Sequence, residues 1–314
     1  MGDSDPVEKL LMPVPAVGWL DRTAAHRANV RAARRGAYHD PLGEEIARRM
    51  LERLEYVKLA PQRIIDVGGD ALIISARYPA ATAYSVGAPR AGPGDEPRNE
   101  SRNEPRYGWR SRLRRIFASR SPSTLVADMG KLPLAAGSCD LVWSNLALAR
   151  SDDPGGMLNE WGRVMAVEGL LMFSSLGPDT LKEMRAAFAD DPKPHVHPFV
   201  DMHDLGDLLV AAGFADPVMD MEVITFTYTR FEEVIADLRA SGQVNSLADR
   251  RRGLTGRCVW DRARRAYADT ARDGRVPASF EVVYGHAWKP QRRVAEDGAR
   301  IIKFDRTPPA RKSN

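Results

Sequence analysis

The chain has 314 residues, 43% of them hydrophobic and 28% charged, the balance of a globular protein of one large or two small domains. A formal charge of +4 is too small for this length to imply nucleic acid by itself, and no apolar run is long enough to span a bilayer. Acids stand in Met1-Gly2-Asp3-Ser4-Asp5-Pro6 where a signal peptide carries bases, and two cysteines, Cys139 and Cys258, exclude a disulfide framework or a cysteine-rich metal site, so a reducing, cytoplasmic setting is expected.

The first recognisable element is a helix. In GEEIARRMLERLEYV, residues 43–57, the side chains of Ile46, Met50, Leu51, Leu54 and Val57 fall on one face. Pro61 prevents its continuation. Arg63 to Val67 is a short β-branched run entering Gly68 and Gly69, which predicts a buried strand and a tight turn. Asp70 can cap a helix over 70–77, Tyr78-Pro79 closes it, and 82–86 reads as a second strand. Strand, helix and strand within about thirty residues form a βαβ unit, whose crossover is right-handed.

Residues 88–124 break this rhythm. PRNESRNEPR is a small tandem repeat rich in proline, asparagine and charge, expected as a solvated, mobile insertion. Nine arginines crowd residues 90–120. Trp109, Leu113, Ile116 and Phe117 recur at helical spacing with arginines on the other face. Such a segment, 107–118, can lie on an anionic membrane surface, dock on an acidic partner, or pack on the protein's own sheet. Nucleic acid is disfavoured, because only Tyr107, Trp109 and Phe117 could stack and no RNA-binding signature surrounds them.

The pattern resumes at Leu125. A strand is expected over 139–145, a helix under the stripe of Met157, Leu158, Trp161, Val164 and Met165, and a buried strand over 169–174. Helices over 204–212, 231–240 and 258–269 and strands over 222–229 and 280–284 follow, then a disordered basic tail over 293–314. The alternation predicts an α/β protein with a doubly wound, mostly parallel sheet. The organisation expected is an N-terminal arm (1–40), a core (41–190) carrying the basic insertion, and a part (191–292) that holds a small helical lid around 195–280 and the rest of the core.

RIIDVGG stands where class I S-adenosylmethionine (SAM)-dependent methyltransferases carry their first nucleotide-binding loop. VADMGKLPLAAGSCDLVWSNLALARSDDP and LNEWGRVMAVEGLLMFSSLGPDTLKEMRAAF resemble the later motifs of that family. FVDMHDLGDLLVAAGFADPVMD, RRRGLTGR and FEVVYGHAW extend the likeness to the malonyl-acyl-carrier-protein O-methyltransferases of biotin synthesis, over residues 40–290 apart from the insertion. A mitochondrial group, assembly factors of respiratory complex I, shares much of the pattern. The resemblance implies a Rossmann-like fold, SAM as cofactor, methyl transfer to a free carboxyl such as that of malonyl-acyl-carrier protein, and an acidic carrier protein as partner. It implies cofactor contacts at Asp66, Gly68, Gly69 and Gly87, at Asp128 and Met129 near the adenine, and at Asn145 beside the methionine portion. Tyr38 matches a tyrosine that closes over the cofactor, and Tyr284, His286 and Trp288 match a C-terminal signature. Arg251, Arg252 and Arg257 either meet the carrier or a malonyl carboxylate, which arginine pairs in bidentate fashion, or form a solvated basic face.

This chemistry asks for alignment more than for acid–base groups, since the sulfonium methyl is already activated and a carboxylate is ionised at neutral pH. No metal site is expected: His195 and His197, one residue apart in a proline-flanked loop, lack metal-ligand spacing. The cofactor loop departs from the family in two ways. Asp70 and Leu72 occupy its later glycine positions, and Gly87 replaces the acid that holds the ribose hydroxyls, with no carboxylate until Asp95. Charged hydrogen bonds are worth about 1.5–3 kcal/mol each, so weakened SAM binding is expected. Two further readings stay open beside the enzyme: a non-catalytic descendant acting as a binding or assembly factor, and a binder that works through its arginine insertion.

Overall fold

The computed structural model describes residues 18–34, 40–68, 71–87 and 123–291. Tyr38, Gly69, Asp70, the apolar stripe of 107–118 and the tail 293–314 lie outside the described residues.

The first helix, α1 (Arg22–Arg34), has no counterpart in the sequence reading. RTAAHRANVRAAR offers alanines and one valine but no apolar stripe, so periodicity is silent there. Its start is marked by Asp21, whose carboxylate accepts the Ala24 N–H at 2.9 Å. The helix α2 (Pro41–Leu54) begins on Asp40, which accepts the Gly43 N–H at 2.9 Å, with proline in the first turn where it costs no hydrogen bond. It buries Ile46, Ala47, Met50 and Leu54.

From there the chain winds through β1 (Arg63–Val67), α3 (Ala71–Arg77), β2 (Thr82–Val86), β3 (Ser123–Leu125) and β4 (Cys139–Ser144). A 3-10 turn (Leu148–Arg150), α4 (Pro154–Val164) and β5 (Met165–Leu176) follow. The C-terminal part supplies α5 (Lys182–Ala187), α6 (Met202–Ala211), β6 (Ala215–Tyr228), α7 (Phe231–Ala240), α8 (Arg257–Ala268) and β7 (Val276–Trp288).

The strands form one sheet in the order β3-β2-β1-β4-β5-β7-β6. The pairs among β1 to β5 are parallel; β7 runs antiparallel to both of its neighbours. Parallel strands must be covered on both faces, and the runs Ile64-Ile65, Leu141-Val142-Trp143 and Leu170 to Phe173 are accordingly buried throughout. One face packs Met50, Trp143, Met172, Tyr267 and Tyr284 into a common cluster. The other packs Leu158, Trp161, Phe173, Leu205 and Leu209.

The segment 195–280, expected as a helical lid, divides on folding. Helix α6 packs against α4 and β6, and β6 hydrogen-bonds along β7 as the edge of the sheet, so both belong to the core architecture. Helices α7 and α8 pack on the sheet through Phe231, Val234, Ala263 and Tyr267, which share the cluster of Met50 and Trp143, and α8 lies against α5. Strands β6 and β7 are also longer than the expected 222–229 and 280–284, because each satisfies its backbone on the other over most of its length. In YGHAW the glycine has a packing reason: a Cβ on Gly285 would lie 2.3 Å from the Phe173 ring.

Candidate active site

In this strand order the direction of winding reverses between β1 and β4, and the C-terminal ends of parallel strands at such a reversal open into a crevice. A cleft lined by residues at the ends of β1, β4 and β5 occupies that place. Its floor comes from Gly68 after β1, Asn145 and Leu146 after β4, and Leu176 at the end of β5. Arg150, Thr180 and Leu181 border it, and Leu20, Ala25, the 195–199 segment and the 241–246 loop close over it.

The floor is fixed by polar bonds that avoid the ligand space. Asn145, 4% exposed, donates from Nδ2 to the Gly43 carbonyl at 2.8 Å, and its Oδ1 accepts the Ser174 hydroxyl at 2.8 Å. Ser174 Oγ in turn accepts the Leu146 N–H at 3.0 Å. One chain of bonds thus joins α2, β4 and β5. It holds Leu146 at φ +59°, a left-handed conformation that a branched side chain rarely adopts. Leu181, also on the cleft, stands at φ +54°, its N–H bound to the Ser279 carbonyl at 2.6 Å. Such strain collects where a structure must present backbone at a defined place.

The roof hangs on two carboxylates. Asp21 accepts from Arg250 Nη1 at 2.9 Å, the Asp21 N–H reaches the Ser246 carbonyl at 2.8 Å, and Leu20 bridges Leu247. Asp191, its side chain fully shielded, accepts the Lys193 N–H at 3.0 Å, Arg251 Nη2 at 2.9 Å and His195 Nε2 at 3.2 Å. These bonds, the Lys193 N–H first, hold its carboxyl below the usual range. His195 lies flat on Phe188, centroids 3.8 Å apart. His197 accepts the Ser246 N–H on Nε2 at 3.0 Å, so its neutral ring carries the proton on Nδ1, and Arg185 holds its carbonyl at 3.2 Å. Burial pushes the His197 imidazole down to about 4.

Of the residues expected to hold a cofactor, the cleft brings together Gly68 and Asn145. Asp66 lies in β1, fully buried, and accepts the Ser85 hydroxyl at 2.9 Å. Gly87 ends β2 with its N–H on the Leu125 carbonyl at 3.2 Å, and a side chain there would meet open space. Asp128 is exposed and accepts the Gly130 N–H at 2.8 Å; the Met129 carbonyl accepts the Trp161 indole N–H at 3.0 Å. These three stand at the ends of β2 and β3, beside the cleft floor. Leu72 is the second residue of α3.

His286 does not join the cleft. It pairs with Met172 in β5 and Val218 in β6, four residues along β7 from Val282, which faces the cleft end of β5. At about 3.3 Å per residue that is about 13 Å from the opening. Its neighbours Tyr284, buried under the Arg53 guanidinium at 3.8 Å, and Trp288 serve the core. Among the arginines, Arg251 is committed to Asp191, whereas Arg252 and Arg257 are exposed. The sequence reading missed Arg150, Thr180 and Ser246 as cleft residues and saw in His195 and His197 only a failed metal pattern. The proline-flanked HVH was the available signal.

The His197 contact makes acid stability testable. An imidazole at about 4 in the folded chain against 6.5 when free contributes stability that is complete above 6.5 and is lost as pH falls toward 4. The slope contributed is at most about 1.4 kcal/mol per pH unit. Urea unfolding across this interval should show that slope in the wild type and a shallower one in His197→Gln, which keeps an acceptor for Ser246 but does not titrate.

A family described as "Methyltransferase domain" matches residues 108–173. The chain is 46% identical over 277 residues to a malonyl-[acyl-carrier protein] O-methyltransferase of Laribacter hongkongensis, covering 86% of this chain and 91% of that protein. It is 45% identical over 289 residues to the protein of that name in Gallionella capsiferriformans, covering 90% and 96%. A Methylovorus relative of the same name is 43% identical over 293 residues, covering 91% and 95%. Identity of this order, sustained along nearly the whole of both chains and joined to a cleft at the reversal of a class I sheet, places this chain in the malonyl-[acyl-carrier protein] O-methyltransferase family.

Proposed function

We infer that the chain transfers a methyl group from SAM to the free carboxyl of a malonyl group on an acyl-carrier protein. The observation that carries this reading is the near full-length identity to enzymes of that name, in a chain whose cleft lies where the fold binds its ligands.

The residues present fit SAM. A Cβ on Gly68, which stands at φ +124°, would lie 2.9 Å from the Asn145 carbonyl, so the ends of β1 and β4 meet at the cleft floor with no side chain between them. Gly68 and Asn145 would border the methionine portion, Asp66 would shape the end of β1 beneath it, and Gly87, Asp128 and Met129 would border the nucleoside. Bound SAM supplies an activated methyl on a sulfonium. The protein's work is then alignment and exclusion of water. Leu20, Leu146, Leu176, Val196 and Phe199 give the cleft an apolar wall that strips water from an entering carboxylate. The acceptor needs no base, since it is ionised at neutral pH. Incubation of the purified chain with SAM and malonyl-acyl-carrier protein should add one methyl group, read by mass spectrometry of the carrier. Bound SAM without transfer would overturn the assignment.

Gly87 leaves room where a ribose-binding acid fits. Gly87→Asp should tighten SAM roughly tenfold or more in calorimetry, from one or two charged hydrogen bonds to the hydroxyls.

For the carrier we assign Arg252 and Arg257, with Leu254 between them 98% exposed. They follow the loop that roofs the cleft, and a basic rim steers an acidic partner. Arg251 is held by Asp191 and serves the roof. Arg252→Glu with Arg257→Glu should raise KM for the malonyl carrier several-fold, reduce its salt dependence, and leave SAM affinity unchanged. The reading places the protein in the cytoplasm, which the free thiols of Cys139 and Cys258 support. No helix among the described residues is long and apolar enough to cross a membrane.

A further inference from the structure

Arg150 is the one arginine or lysine among the described residues that line the cleft. It ends the 3-10 turn after β4 and lines the cleft beside Gly68 and Asn145. Its Nη2 lies 3.7 Å from the point a Cβ on Gly68 would occupy, so the guanidinium reaches across the floor to the end of β1. Its Nε is shielded from solvent and has no hydrogen-bond partner among the described residues. The Asn145 amide beside it is engaged by Gly43 and Ser174, and Arg251 of the roof by Asp191. A buried donor left unmade is costly, and a protein keeps one chiefly where a ligand completes it.

We propose that Arg150 is a carboxylate clamp, its Nε–H and adjacent Nη–H gripping one carboxylate of the molecules that fill the cleft. The Nε edge of a guanidinium presents two parallel donors, a geometry that carboxylates match and that hydroxyls or amides do not. The proposal rests on the methyl-transfer reading, which brings two such groups to this cleft: the amino-acid carboxylate of SAM and the acceptor carboxylate of the malonyl group. Both present the same chemistry to Arg150. The turn Leu148-Ala149-Arg150 after β4 is what places the side chain there.

Calorimetry on the full chain separates the sources. Arg150→Leu removes the donors and Arg150→Lys keeps only the charge; neither breaks a side-chain bond to the described residues, and thermal melting verifies that both remain folded. SAM, decarboxylated SAM, and malonyl- and acetyl-pantetheine are the probes. A grip on the cofactor predicts that Arg150→Leu weakens SAM roughly 10- to 100-fold and leaves decarboxylated SAM unchanged, with Arg150→Lys intermediate. A grip on the acceptor predicts unchanged SAM and a loss of the same size for malonyl- but not acetyl-pantetheine. Unchanged affinities throughout, or equal losses for ligands with and without a carboxylate, would overturn the clamp while the enzyme assignment stands. A wild-type chain that binds neither SAM nor the malonyl probe would instead overturn the assignment, and the clamp with it.

Discussion

The ends of β1 and β4 run so close together that only a residue without a side chain fits between them. Gly68 turns away at φ +124° with the Asn145 carbonyl where its Cβ would be. This approach sets the depth of the cleft, and the rest of the floor is built to preserve it. Asn145 cannot drift, because its amide is bound on both atoms, one to α2 and one to β5. Leu146 is forced left-handed by the same network and turns its apolar side chain into the cleft wall. A reaction that consists of aligning two reactants needs this kind of floor, since a small misplacement costs a large factor in rate.

The roof is made differently. Trp19 to Asp21, the 193–199 segment and the 243–250 loop cross-link one another through backbone bonds, Asp21–Arg250 and Asp191–Arg251. Leu247, Val196 and Phe199, the His195 ring on Phe188 and the contacts among Trp19, His197 and Phe199 anchor them on the core. Segments held by loop-to-loop bonds open at lower cost than a sheet core. Rigid floor and polar roof suit a site that must admit a carrier-bound group from one side and hold a cofactor from the other.

The sequence revealed the parallel half of the sheet because its strands are continuous apolar runs, and the motif likeness revealed the family. Helix α1 was invisible, since an alanine-rich segment with no apolar stripe folds for reasons of capping and tertiary contact. The edge strand β6 was shortened because Asp216, Asp220 and Glu222 interrupt its apolar pattern; Asp220 and Glu222 pair with Arg53 and Arg49 of α2. His286 lay inside a signature, which marks a likeness but not a direction. Only the antiparallel run of β7 shows that this end of the strand points away from the cleft. Arg150 was likewise unreadable, because its significance lies in the bond it lacks.

That lack also fits the electrostatics of the reaction. A guanidinium beside apolar walls is costly unless an anion meets it. SAM carries two positive groups and one carboxylate, and the acceptor brings a second carboxylate. Arg150 adds a further positive group, so SAM alone would raise the positive charge of the cleft and the acceptor carboxylate would lower it again. Gly87 supplies no carboxylate at the end of β2, whereas Arg150, Gly68 and Asn145 line the cleft together at the ends of β1 and β4. In the proposed enzyme the arginine after β4 would then carry binding that no carboxylate at the end of β2 supplies.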